Sequence, residues 1–245
     1  MSDDKERIVG KLGKLEAKIP VGLKALAEYQ SSPFPAPPAQ VKVPNVSNWQ
    51  MLGNDQYGDC TFAGIAHAKM ATAEVLGIDE SVPTAQKVVQ AYLTYTNGQD
   101  GGAVEADLLK YWQTNKILGN TLSAYAPANI NDENEIKNVI AHYGLAYIGI
   151  RVPALCQQQF QQHKPWTLSH TAADDNIIGG HCIILVGYDK DYIYGITWGA
   201  VQKIEWTWLQ KYMDEAWAII TPEIAIRGAY DNIKLADLKA DLSKL

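Results

Sequence analysis

Within residues 46–222 the spacing of apolar residues changes near Gly144, and that change restricts the fold more than any other feature. Before it the period is helical. From Cys60 to Leu76, Phe62, Ile65, Ala66, Met70 and Ala73 share one face, while Ala63, Gly64, Ala68 and Ala71 keep the other face small. Such a helix can be packed nearly all round, and Gly77 supplies its stop. A second helix is expected to open at Pro83 and run through Val88, Val89 and Tyr92 to Asn97-Gly98. A third follows Gly101-Gly102 through Val104, Leu108, Leu109, Tyr111 and Trp112. A fourth is capped by Asp132, with Glu135 at capping-box spacing, and ends at Gly144. After Gly144 the pattern suits strands. Residues 145–150 read as one strand, 181–188 and 192–198 as a hairpin turning at Asp189-Lys190-Asp191, and 215–220 as another strand. Helices followed by an antiparallel sheet is the α+β order.

The ends are organised differently. Ile8, Leu12, Leu15 and Ile19 recur at helical spacing and predict a short amphipathic helix. The proline-rich stretch 31–38 then forbids regular structure. Residues 1–45 are therefore assigned to an N-terminal arm, 46–222 to the main domain, and 223–245 to a C-terminal amphipathic helix carrying Leu235, Leu238, Leu242 and Leu245.

Composition narrows the function classes. A net charge of -6 over 245 residues argues against a nucleic-acid partner. No apolar run approaches the roughly 20 residues that span a bilayer, so no membrane partner is expected. The start lacks a basic-then-apolar signal layout, and three cysteines cannot close a disulfide framework. Both point to the cytoplasm, or to a virion if the chain is an assembly component. No Cys-x-x-Cys or His-x-x-x-His pairing exists, so neither metal nor cofactor is expected.

The chemistry concentrates in two places. Asn54-Asp55-Gln56-Tyr57-Gly58-Asp59-Cys60 puts a thiol where a loop becomes a helix, and unpaired backbone N–H groups with the helix dipole would lower its pKa. Far downstream, Gly179-Gly180-His181 opens an apolar strand, where His181 could act as base for Cys60. A free Cys is more often a core hydrophobe and a lone His a satisfied structural group; the Gly-Asp and Gly-Gly contexts favour a site. His67 lies about 10 Å along the helix from Cys60, too far to be its base. His142, His163 and His170 read as surface or loop residues, Cys182 as core on the sheet face opposite His181, and Trp206, Trp208 and Trp217 as sheet and core aromatics.

These elements, in this order, resemble the papain-like cysteine peptidases over residues 43–222, and the resemblance implies a helical half packed on an antiparallel sheet half. It implies Cys60 as nucleophile, His181 as base and Asn54 in the oxyanion-hole position, with Gln56 as a nearby substitute and Trp198-Gly199 lining the cleft. Asp-Cys at a helix start is also similar to the bacterial double-glycine leader peptidases, and the Gly-Asp-Cys loop to a bacterial and phage group of small papain-like proteins. Ile196 stands where the family carries the Asn that orients the histidine; Thr197 and Asn176, then Asp174 and Asp175, are the candidates to replace it. Asp59 before the nucleophile would oppose thiolate formation, and Thr61 replaces the usual aromatic. The implied activity is hydrolysis of peptide or isopeptide bonds in a peptide or protein substrate. The alternative is a catalytically impaired structural module, for example in a phage virion, whose arm and C-terminal helix dock a second copy or an assembly partner.

Overall fold

The computed structural model describes residues 6–78, 82–169, 171–226 and 232–245; His170 lies outside them. The helical region forms much as the sequence predicts. Helix α1 (Cys60–Leu76) is buried at every residue from Cys60 to Thr72 and ends at left-handed Gly77. Helix α2 (Ala85–Tyr95) starts two residues after Pro83, with the Thr84 hydroxyl accepting from the Lys87 N–H. Helix α3 (Glu105–Thr114) follows the Gly101-Gly102 turn. Helix α4 (Glu133–Tyr143) is capped by the Asp132 carboxylate, which accepts from the Asn134 and Glu135 N–H groups, and stops at left-handed Gly144. The capping box is not closed, because the Glu135 carboxylate accepts from the Asn129 N–H instead.

Six antiparallel strands make one sheet in the order β1-β6-β2-β3-β4-β5. They are β1 (Ala124–Pro127), β2 (Ala146–Pro153), β3 (Ile177–Tyr188), β4 (Tyr192–Thr197), β5 (Ala200–Glu205) and β6 (Met213–Ile220). Strands β1 and β5 and the short helices α5 (Leu155–Gln161), α6 (Trp206–Tyr212) and α7 (Pro222–Ile226) have no counterpart in the sequence reading. Trp206 and Trp208 sit on α6, not on the sheet; the Trp208 ring lies 4.8 Å from that of Trp166 in the core, tilted by 36°. Strands β4 and β5 meet at a two-residue turn, Trp198-Gly199, with φ of 45° and 72°. Positive φ at both positions gives the hairpin the twist that two-residue turns need.

Two features of the sheet position the site. Gly149 pairs with Cys182 on one side and Glu215 on the other, while Ile150 pairs with His181. On α1, a Cβ at Gly64 would lie 3.0 Å from the Tyr147 ring and 3.1 Å from Cys182 Sγ, so a glycine lets the helix close onto β2 and β3. Cys182 thus packs towards α1, in the core.

The ends differ from expectation. Residues 6–20 form no helix; their one regular feature is a pair of bridges from Lys14 to Ala103 and Gly180. Gly10 and Gly13 interrupt the apolar stripe and weaken a helix, and the backbone there bonds instead to Asn54, Ala103 and Gly180. Further along, Leu23, Leu26 and Tyr29 are buried in the core, the last two on a 3-10 turn at Leu26–Tyr29. The C-terminal segment splits into α7 and α8 (Leu235–Leu242), and α8 buries Leu238 and Leu242 within the same chain. No helix among the described residues is long and apolar enough to cross a membrane.

Candidate active site

The loop entering α1 turns on left-handed Leu52 and Gly53, at φ 56° and 101°. A Cβ at Gly53 would lie 2.3 Å from Val89 Cγ2, so only glycine fits. From inside, His67 fastens the same loop: its Nε2 lies 3.0 Å from the carbonyl oxygens of both Trp49 and Gln50. Carbonyls only accept, so Nε2 carries the proton. Burial lowers the His67 pKa to about 4, and the ring is neutral at pH 7. His67 is therefore a buried positioning group for the loop that carries Asn54.

Asn54 is buried, and its Nδ2 donates to the Tyr57 and Lys11 carbonyl oxygens at 3.1 and 3.0 Å. Asp59 precedes α1 but makes no side-chain cap bond. Burial raises its carboxyl to about 8, so most of the negative charge expected beside the thiol is absent at pH 7. Cys60 opens the helix as predicted. Its thiol is nevertheless pushed up to about 12, because burial outweighs the N–H groups of Cys182 and Gly13 that favour the thiolate. The expectation of a lowered thiol pKa fails in this closed arrangement: the helix dipole is a fraction of a charge, and desolvation of a whole thiolate exceeds it.

His181 sits on β3, buried, with Nε2 2.8 Å from the Thr197 hydroxyl. The Trp198 ring covers it at a centroid distance of 4.9 Å. Nδ1 is buried without a hydrogen-bond partner among the described residues. Burial, with His67 nearby, lowers the imidazole to about 3. Cys60, His181, Asn54, Thr197 and Trp198 all line one small cavity with about 10 Å³ of room, no more than one water needs. Met51, Ala63, His67, Cys182 and Ile196 complete its wall. Gln56 and Asn176 are exposed and do not line it. Asp174 takes hydroxyl bonds from Ser169 and Thr171, and Asp175 pairs with Lys211 at 2.8 Å. Of the candidates to orient the imidazole, only Thr197 is bonded to it.

The cavity is small because the N-terminal segment lies across it. The Lys11 N–H donates to the Asn54 carbonyl at 2.7 Å, and the Lys14 N–H donates to the Gly180 carbonyl at 3.2 Å. On the other wall the Ala103 N–H donates to the Gly13 carbonyl at 2.9 Å, and the Leu15 N–H to the Ala103 carbonyl at 3.0 Å. The segment thus bridges the loop before α3 to β3. A Cβ at Gly13 would fall 1.8 Å from the Gly58 carbonyl oxygen, so this strand passes Cys60 only as glycine. What Gly13 turns towards the sulfur is an N–H. Beyond it the Lys14 ammonium is buried, 3.0 Å from both Asp214 Oδ2 and Glu215 Oε1. Sequence reasoning missed Lys14, Glu105, Glu215 and the positioning role of His67. The signal available for the arm was Gly10-Lys11-Leu12-Gly13-Lys14, two glycines where a helix was read.

Comparison with known proteins agrees with this arrangement at the level of fold. No protein-family model matches the sequence, and no curated protein matches it. Solved structures do. Xylellain, a cysteine protease from Xylella fastidiosa, superposes with a TM-score of 0.66 at 14% identity, covering 89% of this chain and 98% of that one. The fold is papain-like. Digestive procathepsin L 3 of Tenebrio molitor larval midgut gives a TM-score of 0.54 at 16% identity, over 88% of this chain and 76% of that one. The cysteine protease and lectin-like domains of Cwp84, a surface-layer-associated protein of Clostridium difficile, give 0.55 at 12% identity, over 89% and 56%. In this papain-like chain Cys60 lies on a helix of the helical half and His181 on the sheet.

Proposed function

We propose that this chain is a cysteine hydrolase of peptide or isopeptide bonds, held latent by its own N-terminal segment. The observation that carries the reading is the anchoring of His181. With Nε2 engaged by the Thr197 hydroxyl, Nδ1 is left for the cavity shared with Cys60. A nucleophile beside an imidazole that a third group orients is the arrangement activated thiols use. Thr197 takes over the orienting role that Ile196 cannot fill. On substrate entry the Cys60 thiol passes its proton to His181, and sulfur attacks the carbonyl carbon. Asn54 Nδ2, which now donates to the Lys11 carbonyl, turns to the oxyanion. His181 then protonates the leaving amine, and water releases the acyl group.

Two features support latency. The thiol and the imidazole are both neutral while the cleft is filled, and Gly13 offers the sulfur an N–H, which is no electrophile. The second reading, an interaction module, draws on the same filled cleft: if the segment never leaves, no substrate enters. One experiment separates them. In the full chain, Gly13→Val places side-chain atoms against the Gly58 carbonyl and displaces the segment. Treatment with an irreversible thiol-directed inhibitor should then label Cys60, with labelling lost in Gly13→Val/Cys60→Ala and strongly slowed in Gly13→Val/His181→Ala. Labelling at the same slow rate with and without His181 would favour the interaction module.

A further inference from the structure

The way Lys14 is held says more about the cleft than that it is filled. A lysine side chain is rarely buried without dedicated partners, and this one is 1% exposed. Its ammonium donates to Asp214 Oδ2 at 3.0 Å and to the Leu15 carbonyl at 3.2 Å, and lies 3.0 Å from Glu215 Oε1. The second Glu215 oxygen accepts from the Trp217 indole N–H at 3.0 Å, which fixes the carboxylate in place. Glu105, wholly buried at the start of α3, adds a third carboxyl within electrostatic range. Burial by itself would drive the Lys14 pKa down, yet Glu215, Glu105 and Asp214 together hold it above its ordinary value.

The shape of the pocket agrees with its charge. A Cβ at Gly149 would lie 1.9 Å from Lys14 Cε and 2.7 Å from Glu215 Cγ. The missing side chain on β2 is what admits the lysine stem. Lys11, three residues earlier, pairs with Asp100 at 3.5 Å on the surface, with its side chain 53% exposed. The carboxylates therefore hold one particular lysine in a shaped slot; they do not merely attract a basic segment. Without Lys14, Glu215 and Glu105 would be buried carboxylates with no counter-charge from the arm, a costly state that any occupant bearing an ammonium would relieve.

We propose that the pocket formed by Asp214, Glu215 and Gly149 is a specificity site for a lysyl side chain, so that a peptide replacing the arm in the cleft is chosen by its lysine. The proposal rests on the reading of the cleft as one a peptide enters, but its test reads occupancy, not turnover. In the full chain, the rate of Cys60 alkylation by a small maleimide, located by peptide mass spectrometry, reports how often the arm leaves. Lys14→Met should raise that rate at least tenfold over wild type. Adding Glu215→Gln, which removes the charge and keeps the shape, should bring the rate back towards wild type, because methionine suits a pocket with one less charge. In trans, an N-acetylated, C-amidated peptide of residues 8–19 should bind full-length Gly13→Val at least tenfold more tightly than the same peptide carrying Lys14→Met, by fluorescence anisotropy. Equal protection of Cys60 in wild type and in Lys14→Met, or equal binding of the two peptides, would overturn the proposal. A lysine preference without any hydrolysis by Gly13→Val would leave the pocket standing and remove the hydrolase.

Discussion

Two stripes of the same period meet opposite fates in this molecule. Ile8, Leu12, Leu15 and Ile19 form no helix, with Ile8 70%, Leu15 46% and Ile19 52% exposed. Leu235, Leu238 and Leu242 form helix α8, with Leu238 and Leu242 buried close to Tyr29, whose hydroxyl donates to Asp241. The first stripe contains Gly10 and Gly13 and lies against backbone groups of Asn54, Ala103 and Gly180 that it bonds; the second has no glycine and buries Leu238 and Leu242. Period sets what a segment can do, and the surface it meets decides what it does. The consequence is functional: the tail is held mainly by apolar burial, while the arm is held mainly by backbone hydrogen bonds and ion pairs, of which that of Lys14 is buried. The first mode belongs to the fold, and the second is expected to be released without unfolding it.

Paired substitutions break this comparison most directly. Leu238→Ala opens a cavity under α8 and should cost about 2–5 kcal/mol of unfolding free energy by denaturant titration, with native-state alkylation of Cys60 unchanged. Gly13→Val should do the reverse. Its overlap with the Gly58 carbonyl is worth up to about 3 kcal/mol against the docked arm, or roughly a hundredfold faster Cys60 alkylation, while the core unfolds cooperatively at nearly the wild-type denaturant concentration. If Gly13→Val abolishes cooperative unfolding, the arm is as much part of the core as α8 and the distinction collapses.

The sequence was informative where one element determines its own structure. Helix α1 and its Gly77 stop, the Asp132 cap, the β3–β4 hairpin and the presence of Cys60 and His181 on the wall of one cavity follow from local pattern and chain order. What escaped depends on groups far apart in the chain. Thr197 was only one of several residues that could face His181, and nothing but the register of β3 with β4 selects it. Glu215 lies opposite Gly149 through strand pairing, 66 positions away in the chain. Asp59 reads as a charge in sequence and is a mostly neutral acid in place, because burial cannot be seen from its neighbours. The arm was misread for the same reason: its partners, Ala103 and Gly180, lie far downstream.

The buried site and the solvated surface should also differ in their response to pH. In the fold Asp59 keeps its proton up to about 8, whereas in the unfolded chain it ionises near 3.8. The folded state then binds one more proton across that window, and stability falls as pH rises through it, by up to about 1.4 kcal/mol per pH unit. His67 and His181 act with the opposite sign. They refuse protons until about 4 and about 3, so below the ordinary value of 6.5 the unfolded chain binds more and stability falls with acid. Taken alone, these three groups place maximum stability near pH 6.5; Glu105 and Glu215, also raised, act with the sign of Asp59 and move the maximum to lower pH. Asp59→Asn should therefore flatten the loss between pH 6.5 and 8 and steepen the acid limb, measured by urea unfolding at each pH. A wild-type profile that stays level from 6.5 to 8 would place Asp59 ionised in the fold.

The smallest expected effect sharpens the contrast between the two lysines of the arm. Lys11 and Lys14 are three residues apart and both pair with carboxylates, so a view in which basic charge alone docks the arm treats them alike. Their surroundings do not. The Lys11–Asp100 pair spans 3.5 Å with both side chains more than a third exposed, and such pairs contribute about 0–1 kcal/mol. What fixes Lys11 is its backbone: its N–H donates to the Asn54 carbonyl, and its own carbonyl accepts from Asn54 Nδ2. Alanine keeps both bonds. Lys11→Ala should change Cys60 alkylation by less than about threefold, and 0.5 M salt should reproduce most of that change because the pair is open to screening. If Lys11→Ala instead releases the arm as strongly as Lys14→Met, long-range charge docks the segment and the shaped pocket around Lys14 is not what selects it.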